Sequence, residues 1–324
     1  MRILPAGIVA VALAAATLHA ADKKKDDPSQ IGNRKIGNCV NIYSIEKEIA
    51  LGKQLAEEVK RQAKLNDDPI ISEYVNRVGQ NLVRNSDAKV PFTFQVVEDE
   101  APNAFALPGG FVFVYTGLLK IADEEDEFAG AVAHEIAHVA ARHMTCQATK
   151  STIANIATIP LSVILGGWTG YGVRQAAGVA IPMTFLKFGR SDEAEADYLG
   201  VQYMYAAGYD PNGAVSMFEK LDALLKKRPG LLDKVFSTHP MDSDRIQNTQ
   251  KEIARILPSK PEYVVSTSEY GAVRDRLIAL ESRRKGDAKD GRPVLRVKPG
   301  AGAPTDDDSK TDDRPTIKRR DLVE

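Results

Sequence analysis

His134-Glu135-Ile136-Ala137-His138, set inside the run Glu124 to Arg142, decides how the rest of this chain is read. The run reads as one helix, and on a helix positions i and i+4 share a face one turn apart. Both imidazoles therefore reach a single tetrahedral Zn2+, and Glu135 stands beside the first ligand, where a carboxylate takes a proton from the attacking water. The bland alternative is a surface helix that happens to carry two histidines. Only five histidines occur in 324 residues, and two of them fall here, on a stripe otherwise made of Ala131, Val132 and Val139. The motif predicts metal-dependent peptide hydrolysis.

A catalytic zinc of this type needs a third protein ligand. The extended scheme HExxHxxGxxH is refused, because Ala141 stands at its glycine and Met144 at its third histidine. His143 falls one residue early, at the polar end of the helix, and reads as a partner of the helix dipole. The other scheme draws a glutamate from a later helix, and Arg190-Ser191-Asp192-Glu193-Ala194-Glu195-Ala196-Asp197 suits it. Ser191 is the expected N-cap, with Asp192, Glu193 and Glu195 in the first turns. Glu193 and Asp197 are i,i+4, so one can bind metal while the other orients a ligand histidine. Taken alone the segment reads as an acidic, solvated helix start. Its place about 55 residues after HExxH favours the ligand reading.

Four stretches in this order resemble the HtpX/Oma/BepA-type zinc metallopeptidases, metallopeptidase family forty-eight, gluzincins related to the prenyl-protein endopeptidases. They are Asn103-Ala104-Phe105-Ala106-Leu107-Pro108-Gly109-Gly110 with the following Phe111 to Leu118, then HExxH, then Glu193-x-x-Ala-Asp197, then Thr238-His239-Pro240 followed by Arg245. Together they cover about residues 40–265. The resemblance implies an α+β, mostly helical zincin-like domain with a small β-sheet beside the HExxH helix. It implies one Zn2+ per chain on His134, His138 and Glu193, with Glu135 as general base and Asp197 behind the ligands. It also implies that His239 faces the metal, either stabilising the oxyanion or occupying the metal in a latent state. Where a serine is usual before the arginine, this chain has Gly189.

Phe111-Val112-Phe113-Val114-Tyr115 is β-rich and follows a Pro-Gly-Gly turn, which predicts a strand beside the active-site helix. As an open edge it would accept an extended peptide, making Phe111, Val112 and Phe113, with Asn103, the substrate-binding candidates. The alternative is an interior strand paired on both sides.

With 43% hydrophobic residues the chain can bury a full catalytic core. A net charge of −1, and the lack of a basic stripe or a Gly-rich phosphate loop, give no reason to expect nucleic acid. Arg2, the apolar stretch Ile3 to Leu18 and the small residues Ala20 and Ala21 after it predict an export signal over 1–21 and a periplasmic or envelope location. Lys23 to Lys25 keep an uncleaved anchor as the alternative. Cys39 and Cys146 read either as a pair, in an oxidising compartment, or as two free thiols.

Along the chain, 22–39 is expected to be a linker, 40–283 the catalytic domain and 284–324 a disordered tail. Helices are predicted from Ser44 and from Pro69, the latter capped by Asp68, then the HExxH helix, then helices from Asp210-Pro211, from Asp242 and over 270–283. Residues 151–173 hold no charged side chain, but Pro160 and four glycines interrupt them. They read as a buried helix plus a Gly-rich loop near the cleft, able to touch a lipid surface. The expected function is an exported zinc endopeptidase acting on unfolded, misfolded or unassembled envelope proteins. Its rival is a latent, zinc-bound chaperone-like binding protein.

Overall fold

A computed structural model describes residues 25–37, 39–157, 188–227, 239 and 243–289. The expected signal at 1–21, the Gly-rich part of 151–173, the neighbours of His239 in the Thr-His-Pro stretch and the tail beyond 289 lie outside the described residues. The fold is α+β and mostly helical, with a small sheet beside the HExxH helix.

Helix α1 (Ile45–Gln62) starts where Ser44 accepts the Lys47 N–H, and carries Glu46 and Glu48 at its start and Lys60 and Arg61 at its end, the charge order that suits a helix dipole. Helix α2 (Pro69–Arg84) is capped by Asp68, whose carboxylate accepts from Ile70 and Ile71, while Pro69 takes the first helical position. Its Ile71, Tyr74, Val75, Val78 and Leu82 recur on one face and enter the core.

The sheet contains β1 (Thr93–Val97), β2 (Ala104–Leu107) and β3 (Phe111–Tyr115) in the order β1-β3-β2. β1 runs parallel to β3, pairing Thr93 with Phe111, and β2 runs antiparallel to it, pairing Phe105 with Phe113. Gly109 and Gly110 form the β2–β3 turn at φ of +76° and +93°, a region closed to most side chains, and a Cβ on Gly110 would meet the Pro91 carbonyl oxygen at 2.1 Å. This topology corrects one expectation. β3 is the interior strand, paired on both edges, so Phe111, Val112 and Phe113 offer no open edge to a peptide. That edge belongs to β2, which the Pro-Gly-Gly turn folds back onto β3.

Helix α3 (Thr116–Ile121) leads to α4 (Glu125–Ala140), which carries HExxH and is buried along almost its whole length. Glu124 and Glu127 close its start as a capping box. α4 lies against α6 (Arg190–Ala207), α7 (Asn212–Lys227) and β2. Gly130 lets α7 come close, since a Cβ there would sit 2.8 Å from the Ala214 Cα. The chain leaves α4 through Arg142, at φ 60°, and begins α5 (His143–Ala157). The run Glu124 to Arg142 is thus a shorter helix followed by a turn. Cys39 and Cys146 are joined in a disulfide that ties the amino-terminal arm to α5. α8 (Ser243–Ile256) packs on α6 and α7, and α9 (Ser268–Lys289) places Tyr270, Val273 and Leu277 in the core. The described residues up to Glu281 form one compact unit, and a second begins at Ser282 with the last turns of α9. No described helix is long and apolar enough to cross a membrane.

Candidate metal centre

His134 and His138 stand one turn apart on α4, as their spacing requires, and their Nε2 atoms are 3.0 Å apart. Helix α6 brings Glu193 across from them. It starts at Arg190 after Gly189, one residue before the expected Ser191 cap, and Asp192 accepts the Gly189 N–H at 3.4 Å. Glu193 Oε2 lies 3.4 Å from His134 Nε2, and Oε1 lies 3.4 Å from His138 Nε2. His239 Nδ1 completes the group, 3.4 Å from His134 Nε2 and 3.0 Å from Glu193 Oε1. All four residues are buried.

These distances test whether a metal fits. Tetrahedral zinc with bonds of about 2.0–2.1 Å holds its donor atoms about 3.3 Å apart. Five contacts among these groups, counting both Glu193 oxygens, fall between 3.0 and 3.4 Å, and one donor atom from each of the four residues lies within 4.8 Å of the others. A set of three histidine nitrogens and one carboxylate suits Zn2+. The residues fit the ion.

Surrounding groups hold the donors in place. Asp197 Oδ1 lies 2.9 Å from His134 Nδ1, so the ring's proton belongs on that side and Nε2 is left as a donor of electrons. Arg245, buried on α8, donates to both oxygens of Asp197 at 2.8 Å, meets Glu193 Oε2 at 2.8 Å and lies over the Phe218 ring. Phe188 stacks on His138 with ring centroids 3.9 Å apart. Burial works to raise the Asp197 carboxyl, but Arg245 and His134 outweigh it and hold it below the usual range. At Glu193 burial acts in the same upward sense and the three histidines reverse it. Burial alone dominates at His138, which is held well below an ordinary histidine despite Glu193 beside it.

Glu135, next to His134 on α4, reaches both β2 and His239. Its Oε2 accepts the Ala106 N–H of β2 at 2.9 Å, and its Oε1 lies 3.4 Å from His239 Nε2. Burial raises its carboxyl above the ordinary range, the direction a general base working near neutral pH requires. Beside it a cleft is lined by Asn103, Leu118, Ala131, Met217, Phe218 and Leu221. Asn103 is buried there, and its Oδ1 has no hydrogen-bond partner among the described residues.

The structure thus brings together His134, Glu135, His138, Glu193, Asp197, His239 and Asn103, and separates Phe111, Val112 and Phe113 from the edge they were expected to form. His143 also departs from expectation. It opens α5 instead of closing α4, because Arg142 turns the chain, and its buried ring packs against His138. Arg245, a motif residue with no role expected from the sequence, bridges Glu193 and Asp197 of α6. Its role depends on α8 packing beneath α6, and no local pattern announces that.

Residues 69–253, more than half of the chain, match the model of Peptidase family M48. A relative from Vibrio cholerae serotype O1 is 31% identical over 275 residues, 82% of this chain and 55% of the relative. The beta-barrel assembly-enhancing protease of Yersinia pestis is 28% identical over 73% of this chain and 49% of its own. The mitochondrial metalloendopeptidase OMA1 of Schizosaccharomyces pombe is 34% identical over 55% of this chain and 52% of its own. The chain spans about half the length of the curated relatives it matches.

Proposed function

Since this chain belongs to peptidase family M48, we propose that it is a zinc-dependent endopeptidase whose substrates are unfolded or unassembled polypeptides of the cell envelope. The observation that carries the proposal is the convergence of four buried donors, one atom of each within 4.8 Å of the others, with Glu135 next to His134 on α4. His134, His138 and Glu193 would hold the ion. When bound, zinc supplies the Lewis acidity that acidifies the attacking water and polarises the scissile carbonyl.

The chain's own residues do the rest. Glu135 takes the proton of the water and hands it to the leaving amine. The Ala106 N–H fixes one of its oxygens, so the carboxylate is already aimed. On β2 the groups of residues 105 and 107 face β3, and alternation turns those of Ala104 and Ala106 to the other edge. An extended peptide can pair with the Ala104 N–H and C=O there, and Asn103 lies at the same end to hold a substrate amide. Main-chain pairing selects for extended, unfolded chains over any one sequence. The apolar cleft formed by Leu118, Met217, Phe218 and Leu221 would receive an apolar side chain next to the scissile bond. An envelope location, an export signal at 1–21 and a catalytic unit over 40–283 belong to this proposal. The name of the Yersinia relative supports its substrate class.

One observation favours the second reading, a latent zinc-bound state. His239 Nδ1 stands within the donor group while its Nε2 meets the general base, so the ring fills the position that water and substrate would need. Casein cleavage by the full chain, before and after removal and return of zinc, tests the proposal beside His239→Ala. Cleavage that needs zinc supports it, and zinc-independent or absent cleavage by both proteins contradicts it. A faster His239→Ala assigns the ring to latency, a slower one to oxyanion stabilisation, and an unchanged rate to neither.

A further inference from the structure

We propose that His143 and Glu195 form a relay that positions His138, presenting its Nε2 to the metal. The inference rests on the zinc reading above and adds two positioning residues to it. Asp197 orients His134 directly, but among the described residues no carboxylate touches His138 Nδ1. Instead His143 Nδ1 lies 2.9 Å from His138 Nδ1, and His143 Nε2 lies 3.2 Å from Glu195 Oε2. Both imidazoles are buried.

Hydrogen-bond parity fixes the direction of this chain. A carboxylate only accepts, so the His143 proton sits on Nε2 and its Nδ1 is the acceptor. His138 must then donate from Nδ1, which leaves its Nε2 lone pair aimed at Glu193 and His134. Reversing any one link would put a proton between His138 and the ion. Glu195 is held from both sides, its Oε2 facing His143 Nε2 and its Oε1 accepting the Gly37 N–H.

Local geometry holds the relay in place. Arg142 at φ 60° turns His143 back onto α4, and it is gripped by Glu48 Oε2 at 2.6 Å and by the Tyr43 carbonyl at 2.7 Å. Gly37 donates to Glu195 Oε1 at 3.1 Å and lies so close to Ala141 that a Cβ would meet its carbonyl oxygen at 2.6 Å. The amino-terminal arm therefore sets the rotation of Glu195, two bonds away from a metal ligand.

The test is zinc affinity of the full chain, measured by competition with a chromophoric chelator, for wild type, His143→Leu, His143→Gln and Glu195→Ala. Loss of a group that orients a ligand histidine weakens metal binding about 10–100-fold. His143→Leu and Glu195→Ala are expected to show that loss. His143→Gln, whose carboxamide both accepts and donates, is expected to recover most of it. The melting temperature of the zinc-free proteins separates positioning from simple packing, since only the zinc-induced rise should shrink. If His143→Leu fails to fold, Glu195→Ala keeps the imidazole in place and decides the matter. Wild-type affinity in Glu195→Ala, or a loss that His143→Gln shares in full, overturns the relay. A wild-type chain that binds no zinc overturns the metal-site reading and the relay together.

Discussion

The two ends of α4 are both buried and both crowded with titratable groups, yet they are built to different plans. At the amino end each carboxylate has its own donor. Glu125 accepts from the Tyr209 hydroxyl at 3.0 Å and from Thr267, and Glu127 accepts the Asp123 N–H at 2.7 Å and the Lys220 ammonium. Every contact closes within the protein. At the other end, Asp197 lies 2.9 Å from His134 Nδ1 and His143 2.9 Å from His138 Nδ1, and with those groups accepting, two Nε2 atoms 3.0 Å apart are left facing Glu193. Electron-rich atoms converge there on one point, an arrangement that a bound cation would resolve. Burial of charge does not mark a functional site; convergence of lone pairs on one point does.

The contrast is broken or sharpened most strongly at Glu193. Glu193→Ala removes the ligand that α6 contributes, and zinc content is expected to fall from one per chain toward none, with proteolysis undetectable. Metal analysis of the purified variant checks this, and a full complement of zinc would mean that the donors do not act together.

At the amino end the expected effect is smaller and of another kind. Tyr209→Phe removes a buried donor to Glu125 and should lower stability by about 1–3 kcal/mol in denaturant unfolding. Zinc content should not change. A loss of zinc in this variant would show that the two ends are one coupled unit.

Asp126 gives an effect that depends on pH, and its sign follows from its surroundings. Burial, with Asp210 and Glu127 near it, raises the carboxyl to about 7 against a hydrogen bond from the Glu127 N–H. The folded protein thus binds this proton more tightly than the unfolded chain between about pH 4 and pH 7, so its contribution to stability falls as pH rises through that window. Asp126→Asn is expected to raise the melting temperature at pH 8 and to leave it little changed near pH 4. An equal gain at both pH values would contradict the assignment.

What the sequence disclosed follows the range of each interaction. His134, Glu135 and His138 are readable because a helix fixes i,i+4 neighbours without help from the rest of the fold. Glu193 and Asp197 repeat the same spacing and needed only the expectation of a third ligand. Helix starts at Ser44 and Asp68 were legible from their capping chemistry, whereas α6 starts at Gly189 through the Asp192 side chain, which displaced the expected Ser191. β2 was missed because Ala-Phe-Ala-Leu has weak strand preference and exists only against β3. That omission put Phe111 to Phe113 on an edge they do not form. Arginine rarely takes a positive φ, so nothing local foretold that Arg142 would turn His143 back toward His138. The pairing of Cys39 with Cys146, 107 residues apart, was likewise a question of distance that sequence leaves open.

The most direct test of the central claim is casein cleavage by the purified chain beside Glu135→Gln, with zinc measured in both. The account predicts one zinc in each protein and cleavage by the wild type alone, with the variant slower by about 10²–10⁴-fold. Cleavage at the wild-type rate by Glu135→Gln, with its zinc retained, would contradict it.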